Sequence, residues 1–347
     1  MLANLWMLKA PNGMFWYAVD YLQAVDTPTT VLVRPRLLKD AKRNFTAPNI
    51  SVRAGNVATL LWLILLTALR EQAIYCPTPH PIPWIRNQLV TFHDAYPFEG
   101  IWGRVKLQLL RWGLATSKCY IGYINKSMAL PYLEGMGVSF DRLIYIPNIP
   151  PPASAPSSAA RNPSEENKLL QLAAFGTDSE KKRYPELLKI IDQSTYKDRI
   201  HLHLYGEKNP YVSNLQARFP DVRLTVHSAS DEPIQKFLSE IDAVIGIALN
   251  EGFGRPIATA LMQGIPCYLS KSQTFLEFFS ELALFSNNID ELIQAALQGK
   301  RPSGAAESQS QNFLSTQYRT AIAEAIFRIR SLAESSACTD TLNSTKP

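Results

Sequence analysis

The chain has 347 residues, 46% of them hydrophobic, which exceeds what one small domain needs and can fill two sizeable cores. Its net charge of +5 is unevenly placed: residues 1–150 hold 15 Lys and Arg against 8 Asp and Glu, leaving 20 against 22 for the remainder. Four widely separated cysteines, Cys76, Cys119, Cys267 and Cys338, form no C-x-x-C pair, so a disulfide framework and a zinc site are both unexpected and a reducing cytosol fits best.

Taken in chain order, MLANLWMLKAPNG carries no basic leader before its apolar run and no A-x-A cleavage pattern, which argues against a secretory signal. Apolar runs place first-half strands near Leu5 to Leu8, Thr30 to Val33, Ala73 to Tyr75, Leu89 to Phe92, Tyr120 to Ile124 and Leu143 to Ile146, with helical patterns between them. The run VATLLWLILLTAL, Val57 to Leu69, falls short of the ~20 residues that span a bilayer, and reads as a buried helix rather than an interfacial segment. In GRVKLQLLRWGLATSK, Gly103 to Lys118, a helix would put Arg104, Arg111 and Lys118 on one face and Val105, Leu109 and Trp112 about a third of a turn away. That pattern suits peripheral association with an anionic membrane surface. The first domain is expected over residues 1–150, followed by a Pro-, Ser- and Ala-rich linker over 151–167.

Second-half strands are expected near Leu169 to Phe175, His201 to Tyr205, Val222 to Val226, Ala243 to Ile247 and Pro266 to Leu269. A second domain over 168–333 would end in the helix TQYRTAIAEAIFRIRSLAE, and the Ser/Thr-rich tail from 334 to 347 reads as disordered. Strand and helix alternating twice over imply an α/β protein of two Rossmann-like, doubly wound parallel sheets facing a cleft.

One junction carries chemistry. In DAVIGIALNEGFGRPIATALMQG a strand leaves through NEGFGR into a helix with Pro256 at its start and Gly264 at its end. Gly252 and Gly254 let backbone amides approach a ligand, and the helix start adds partial positive charge, so the loop favours an anion. Beside an anion, Glu251 is better suited to accepting hydrogen bonds from sugar hydroxyls. The plainer alternative is a turn shaped by two glycines with Glu251 solvated.

Four segments in order decide between these: AAFGTDSEKKRYPELLKII, HLHLYGE, VHSASDEPIQKFLSEIDAVIGIALNEGFGRP and QGIPCYLSKSQTFLEFF. Together, from about Leu169 to Phe285, they resemble the GT-B glycosyltransferases, in particular the retaining family four, also called glycosyl transferases group 1. The resemblance implies that Glu251 binds donor-sugar hydroxyls, and that the amides of Gly252, Phe253 and Gly254, with Arg255 after them, line the sugar and its diphosphate. It implies that Lys182 neutralises that diphosphate, with Lys181 and Arg183 as neighbouring alternatives, and that Glu277 is the glutamate closing the motif. Basic residues at a helix start oppose the helix dipole unless an anion compensates. Two positions depart from the family: Thr259 stands where a second glutamate commonly binds the ribose, and Thr177 where an arginine often follows the strand-ending glycine. A charge-assisted hydrogen bond of this kind is worth roughly 1.5–3 kcal/mol. In the first half, KAPNGMFWYAVDYL resembles the family's early glycine loop with Asn12 and Gly13, and LVTFHDAYP its strand ending in a histidine, here His93 followed by Asp94.

The resemblance implies a retaining transferase that moves a sugar from a nucleoside-diphosphate sugar to a glycan or lipid-linked acceptor in cell-surface polysaccharide or lipopolysaccharide synthesis. Departure of the diphosphate builds positive charge on the sugar and negative charge on the leaving group, which calls for cations or dipoles at the phosphates and hydroxyl anchors on the ring. No D-x-D sequence occurs, so an essential metal is not expected. The resemblance implies no other cofactor beyond the donor substrate and no nucleic-acid partner. A nucleotide-sugar epimerase or hydrolase would need more cleft carboxylates than Glu251, Asp94 and Glu99. A noncatalytic nucleotide-sugar binder is the remaining alternative, motivated by Thr177 and Thr259.

Overall fold

Short aliphatic runs bounded by polar turns pair in this chain as parallel strands, and the amphipathic segments between them return over the sheets as helices. The computed structural model describes residues 1–85, 87–94, 98, 100–117, 119–150, 169–177, 180–302 and 307–335. The chain divides into two units, Met1–Ile149 with Tyr318–Pro347, and Pro150–Gln317. The proposed linker and most of the proposed tail lie outside the described residues.

The first unit runs β1 (Leu2–Asn4), α1 (Gly13–Ala24), β2 (Thr29–Val33), α2 (Leu38–Asn44), β3 (Ile50–Ala54), α3 (Val57–Leu69), β4 (Ile74–Cys76), β5 (Gln88–Phe92), α4 (Gly100–Thr116), β6 (Tyr120–Tyr123), α5 (Ala129–Gly135) and β7 (Leu143–Tyr145). All seven strands are parallel, in the order β3-β2-β1-β4-β5-β6-β7. Strand alternation splits the core into two faces. Ala3, Val31, Val33, Tyr75 and Leu89 meet Phe15, Tyr17 and Leu22 of α1 on one side. Ile74, Val90 and Phe92 meet Leu110 and Leu114 of α4 on the other.

The second unit runs β8 (Leu170–Phe175), α6 (Tyr184–Gln193), β9 (Ile200–Tyr205), α7 (Pro210–Arg218), β10 (Leu224–His227), α8 (Ile234–Leu238), β11 (Ala243–Gly246), α9 (Arg255–Met262), β12 (Cys267–Leu269), α10 (Gln273–Phe279), β13 (Leu284–Phe285), α11 (Ile289–Leu297) and the start of α12 (Glu307–Ser335). Its six strands are also parallel, in the order β10-β9-β8-β11-β12-β13. The expected class, two doubly wound parallel α/β sheets, is the one observed.

Four details differ from expectation. The first strand is Leu2–Asn4 rather than Leu5 to Leu8, because the Asn4 side chain accepts from the Trp6 amide and turns the chain out of the ladder. β3 is an edge strand of alternating exposure, and β13 is only two residues long, so both lack the continuous apolar run that marks their neighbours. α3, expected to be buried, buries only Thr67. The terminal helix, expected with the second half, belongs to the first unit from Tyr318 onward, where Ala325 and Ile329 enter the core beside α1.

On β9, Ile200, Leu202 and Leu204 point into the core with Leu187, Leu188 and Ile191 of α6, which turns His201, His203 and Tyr205 to the opposite face. His203 Nε2 lies 2.8 Å from Gln171 Oε1 and its Nδ1 lies 2.9 Å from His227 Nε2. The amide oxygen requires Nε2 to donate, which leaves Nδ1 the acceptor position of the neutral ring, while the His227 ring beside it faces Glu232 Oε2 through Nδ1 at 3.2 Å. Burial first, then the neighbouring His201 and His227 rings, pushes the His203 pKa from 6.5 down to about 3. The unfolded chain takes up this proton near its ordinary pKa while the folded chain does not until far lower, so the stabilisation is complete above that value and is lost as pH falls. The urea midpoint is therefore expected to drop between about pH 7 and about pH 5. In His203→Gln the drop over the same interval should be smaller; an equal drop would place the acid sensitivity elsewhere.

Candidate functional site

In the second sheet β9 and β10 lie to one side of β8 while β12 and β13 lie beyond β11, which makes the β8/β11 boundary the topological switch point. Open α/β sheets bind ligands outside the strand carboxyl ends at such a point, where loops diverge to opposite sides and leave a crevice. The loop leaving β8 passes Gly176, at φ 84°, and reaches a single 3-10 turn over Glu180–Lys182. Arg183, left-handed at φ 56°, then starts α6. The loop leaving β11 ends at Gly254, at φ 85°, which starts α9 with Pro256 in the first turn and no side-chain cap.

These two loops meet. Lys182 Nζ donates to Glu251 Oε2 at 2.7 Å, and the Leu249 amide donates to the Lys181 carbonyl at 3.3 Å. The Lys182 and Glu251 side chains are 14% and 19% exposed, so their attraction is screened less than on an open surface, and each charge would be costly to leave alone. Arg183 is engaged elsewhere: its Nε and Nη2 donate to the two carboxylate oxygens of Glu186 at 2.7 and 2.6 Å. Of the three neighbouring basic residues, Lys182 is thus the one shown paired with Glu251.

Packing holds the second loop in place. Phe253 is buried edge-on against Phe278, with ring centroids 4.7 Å apart, so its amide rather than its side chain is the part suited to a ligand. A Cβ at Gly254 would sit 3.3 Å from Phe275 at a φ that side chains rarely adopt, which explains the glycine there. Arg255 opens α9, and Glu277 is half-buried on α10. Ser270, after β12, donates its amide to the Gly246 carbonyl and closes the adjoining edge.

The chain matches no family model. It is 23% identical over 319 residues to the O-antigen chain mannosyltransferase RfbU of Salmonella typhimurium, covering 84% of this chain and 88% of that protein. Among solved structures it superposes on Anabaena HepE in complex with UDP and glucose, with a TM-score of 0.71 at 16% identity over 95% of this chain and 99% of HepE. It also superposes on WaaG, a glycosyltransferase involved in lipopolysaccharide biosynthesis, with a TM-score of 0.64 at 12% identity over 94% of this chain and 98% of WaaG. The chain has the GT-B glycosyltransferase fold.

Within that GT-B frame the two departures noted in the sequence acquire structural roles. Thr177 is buried, and its hydroxyl donates to the Glu207 carbonyl at 2.6 Å, tying the end of β8 to the loop after β9. Asn209 donates to the Thr177 carbonyl at 2.7 Å while its side-chain oxygen caps α7, and the Tyr184 hydroxyl lies 2.6 Å from the Gly176 carbonyl. Neither Asn209 nor Tyr184 was singled out from the sequence; an Asn-Pro helix start was the only signal for the first. Thr259 donates its hydroxyl to the Arg255 carbonyl at 3.0 Å, one turn back in its own helix.

In the first unit Asn12 and Gly13 lie in the connection from β1 into α1, and His93 and Asp94 directly follow β5. Asn12 caps α1, its side-chain oxygen accepting from the Phe15 amide at 3.2 Å, while Gly13 has open space where a Cβ would be. His93, directly after β5, has Nε2 2.9 Å from the Pro77 carbonyl and its ring edge-on to Tyr17 at 4.8 Å. A carbonyl can only accept, so Nε2 carries the proton in this contact. Asp94 follows, half-buried. Among the described residues no cluster of three or more His, Cys, Asp or Glu could hold a metal ion.

Proposed function

We propose that this protein is a glycosyltransferase of O-antigen or lipopolysaccharide type that moves a hexosyl group from a nucleoside-diphosphate sugar to a glycan or lipid-linked acceptor, with retention at the anomeric carbon and without an essential metal. The observation that carries the reading is the Lys182–Glu251 pair at the β8/β11 switch point, beside the uncapped start of α9. A diphosphate is the natural competitor for Lys182. Once it arrives, Glu251 is displaced and becomes an acceptor for sugar hydroxyls, so one exchange of partners serves both halves of the donor. Cationic and amide donors then balance the charge that builds on the leaving group. On the family resemblance His93 is the candidate beside the reacting sugar, with Asp94 next to it in sequence, and the Asn12–Gly13 loop is the candidate to lie against the diphosphate or the acceptor. Support for the donor class comes from HepE, which binds UDP and glucose, and for the acceptor class from RfbU, which acts on O-antigen.

A thermal-shift panel of UDP-, GDP- and dTDP-sugars tests the reading. At about a hundred times Kd, a ligand that binds only the folded state adds roughly 2.7 kcal/mol, which moves Tm by several degrees. One nucleotide class should shift the transition and, with an undecaprenyl-linked oligosaccharide, yield a product whose anomeric configuration matches the donor. An inverted product would overturn retention. A panel that shifts nothing would remove the nucleotide-sugar donor, and undiminished turnover after chelation is expected.

A further inference from the structure

α3 contradicts the ordinary economy of a helix. Its thirteen residues carry no charge, and Asn56 caps its start through the Thr59 amide at 3.0 Å, so it is a well-formed helix. Yet Val57, Leu61, Trp62, Leu65 and Leu69 are 54, 62, 59, 49 and 72% exposed. At about 100° per residue these five occupy an arc of about 140°, a single apolar face turned away from the sheet.

α4 extends the same surface. The connections β3 to β4 and β5 to β6 run in the same direction across the sheet, and right-handed crossovers put both of their helices on one face. α4 buries Leu110 and Leu114 but exposes Val105, Leu109 and Trp112, and exposed Trp84, from the segment before β5, meets Trp112 edge-on at 5.2 Å. Of the sixteen exposed large hydrophobic side chains among the described residues, nine lie on α3, α4 and this segment, which makes a patch rather than scatter.

The charge around the patch identifies the occupant. α4 carries Arg104, Lys106 and Arg111 and no Asp or Glu, and α3 is flanked by exposed Arg53 and Arg70, with Glu71 the nearby acid in sequence. Two copies of this face in a symmetric dimer would set basic rim against basic rim. An anionic lipid surface instead offers headgroups to the rim, acyl chains to the apolar arc, and an interfacial layer that favours the three exposed tryptophans. Thirteen residues make a helix of about 20 Å, which lies in the interface and does not cross it. No helix among the described residues is long and apolar enough to span a membrane.

We propose that the α3–α4 face of the first unit docks on an anionic bilayer, with α3 embedded in the plane of the interface. The proposal does not rest on the transfer reaction, and its test needs neither donor nor acceptor. The full chain is floated with phosphatidylglycerol–phosphatidylethanolamine vesicles and with neutral phosphatidylcholine vesicles. Binding to the anionic vesicles is expected, weakened by salt and by the charge reversal Arg104→Glu with Arg111→Glu. The substitutions Leu61→Gln, Trp62→Gln and Leu65→Gln replace only exposed side chains, so the variant folds, as its circular dichroism should verify. It should partition at least about tenfold less. Equal partitioning of this variant and the parent would overturn α3 as the embedded element. Failure of the parent to bind anionic vesicles would overturn the proposal, as would a concentration-dependent dimer that the three glutamines abolish.

Discussion

Replacing Glu251 by alanine is expected to lower kcat/KM for sugar transfer by about 10²-fold, while the free nucleoside diphosphate should bind at least as tightly as to the parent chain. The two effects should part because, in the exchange of partners proposed above, Glu251 has different roles before and after donor binding. Without ligand its carboxylate neutralises Lys182 at 2.7 Å. If that contact competes with the diphosphate, its removal leaves Lys182 available and should not weaken nucleotide binding. The sugar, in contrast, loses a charged acceptor for its hydroxyls, and a ring that is no longer oriented reaches the transition state less often. The side chain lies in a loop outside the hydrophobic core, so the variant should keep its fold, while the urea midpoint falls because Lys182, 14% exposed, is left without its partner. Steady-state kinetics and calorimetric titration with the nucleoside diphosphate check both halves. Parental activity in the folded variant would remove Glu251 from the site, and weakened diphosphate binding would show that the carboxylate supports the phosphate site instead of opposing it.

The sequence was most informative where local chemistry has one solution. The alternation of β9 separates Ile200, Leu202 and Leu204 from His201 and His203 because a strand has a period of two. The NEGFGRP junction was legible because only glycine takes φ 85° beside a phenylalanine cluster and proline suits a helix start. Spacing alone could not choose among Lys181, Lys182 and Arg183. Their directions depend on a 3-10 turn followed by a left-handed residue, a geometry that no periodicity encodes. Thr177 was read as an arginine lost; its buried hydroxyl in fact joins two strand ends, a contact to Glu207 thirty residues on. The misjudged α3 has a different cause. Hydropathy marks residues that avoid water but says nothing of what covers them, and a helix packed on a sheet has the same composition as one that lies in a lipid interface. The second half of α12 illustrates the same limit, since Ala325 and Ile329 form an i, i+4 stripe that either unit could have buried.

Lys182→Ala is expected to weaken nucleoside-diphosphate binding by about 10- to 100-fold and to lower transfer by at least as much. The loss has two sources. One is the charge-assisted hydrogen bond from the ammonium group to the phosphates. The other is the Glu251 carboxylate, which stands at 19% exposure without its partner and repels the incoming anion. A double-mutant cycle separates them. In Lys182→Ala combined with Glu251→Ala the repulsion is gone, so diphosphate affinity should recover partway above that of Lys182→Ala alone, while transfer stays near the lower of the two single variants. Arg183→Ala provides the control: its guanidinium is bidentate to Glu186, so the variant should change diphosphate affinity little. If Arg183→Ala weakens binding and Lys182→Ala does not, the phosphate ligand is displaced by one residue along the turn. If the double variant binds no better than Lys182→Ala, the carboxylate and the diphosphate do not compete for one cation, and the exchange of partners proposed for donor binding is wrong.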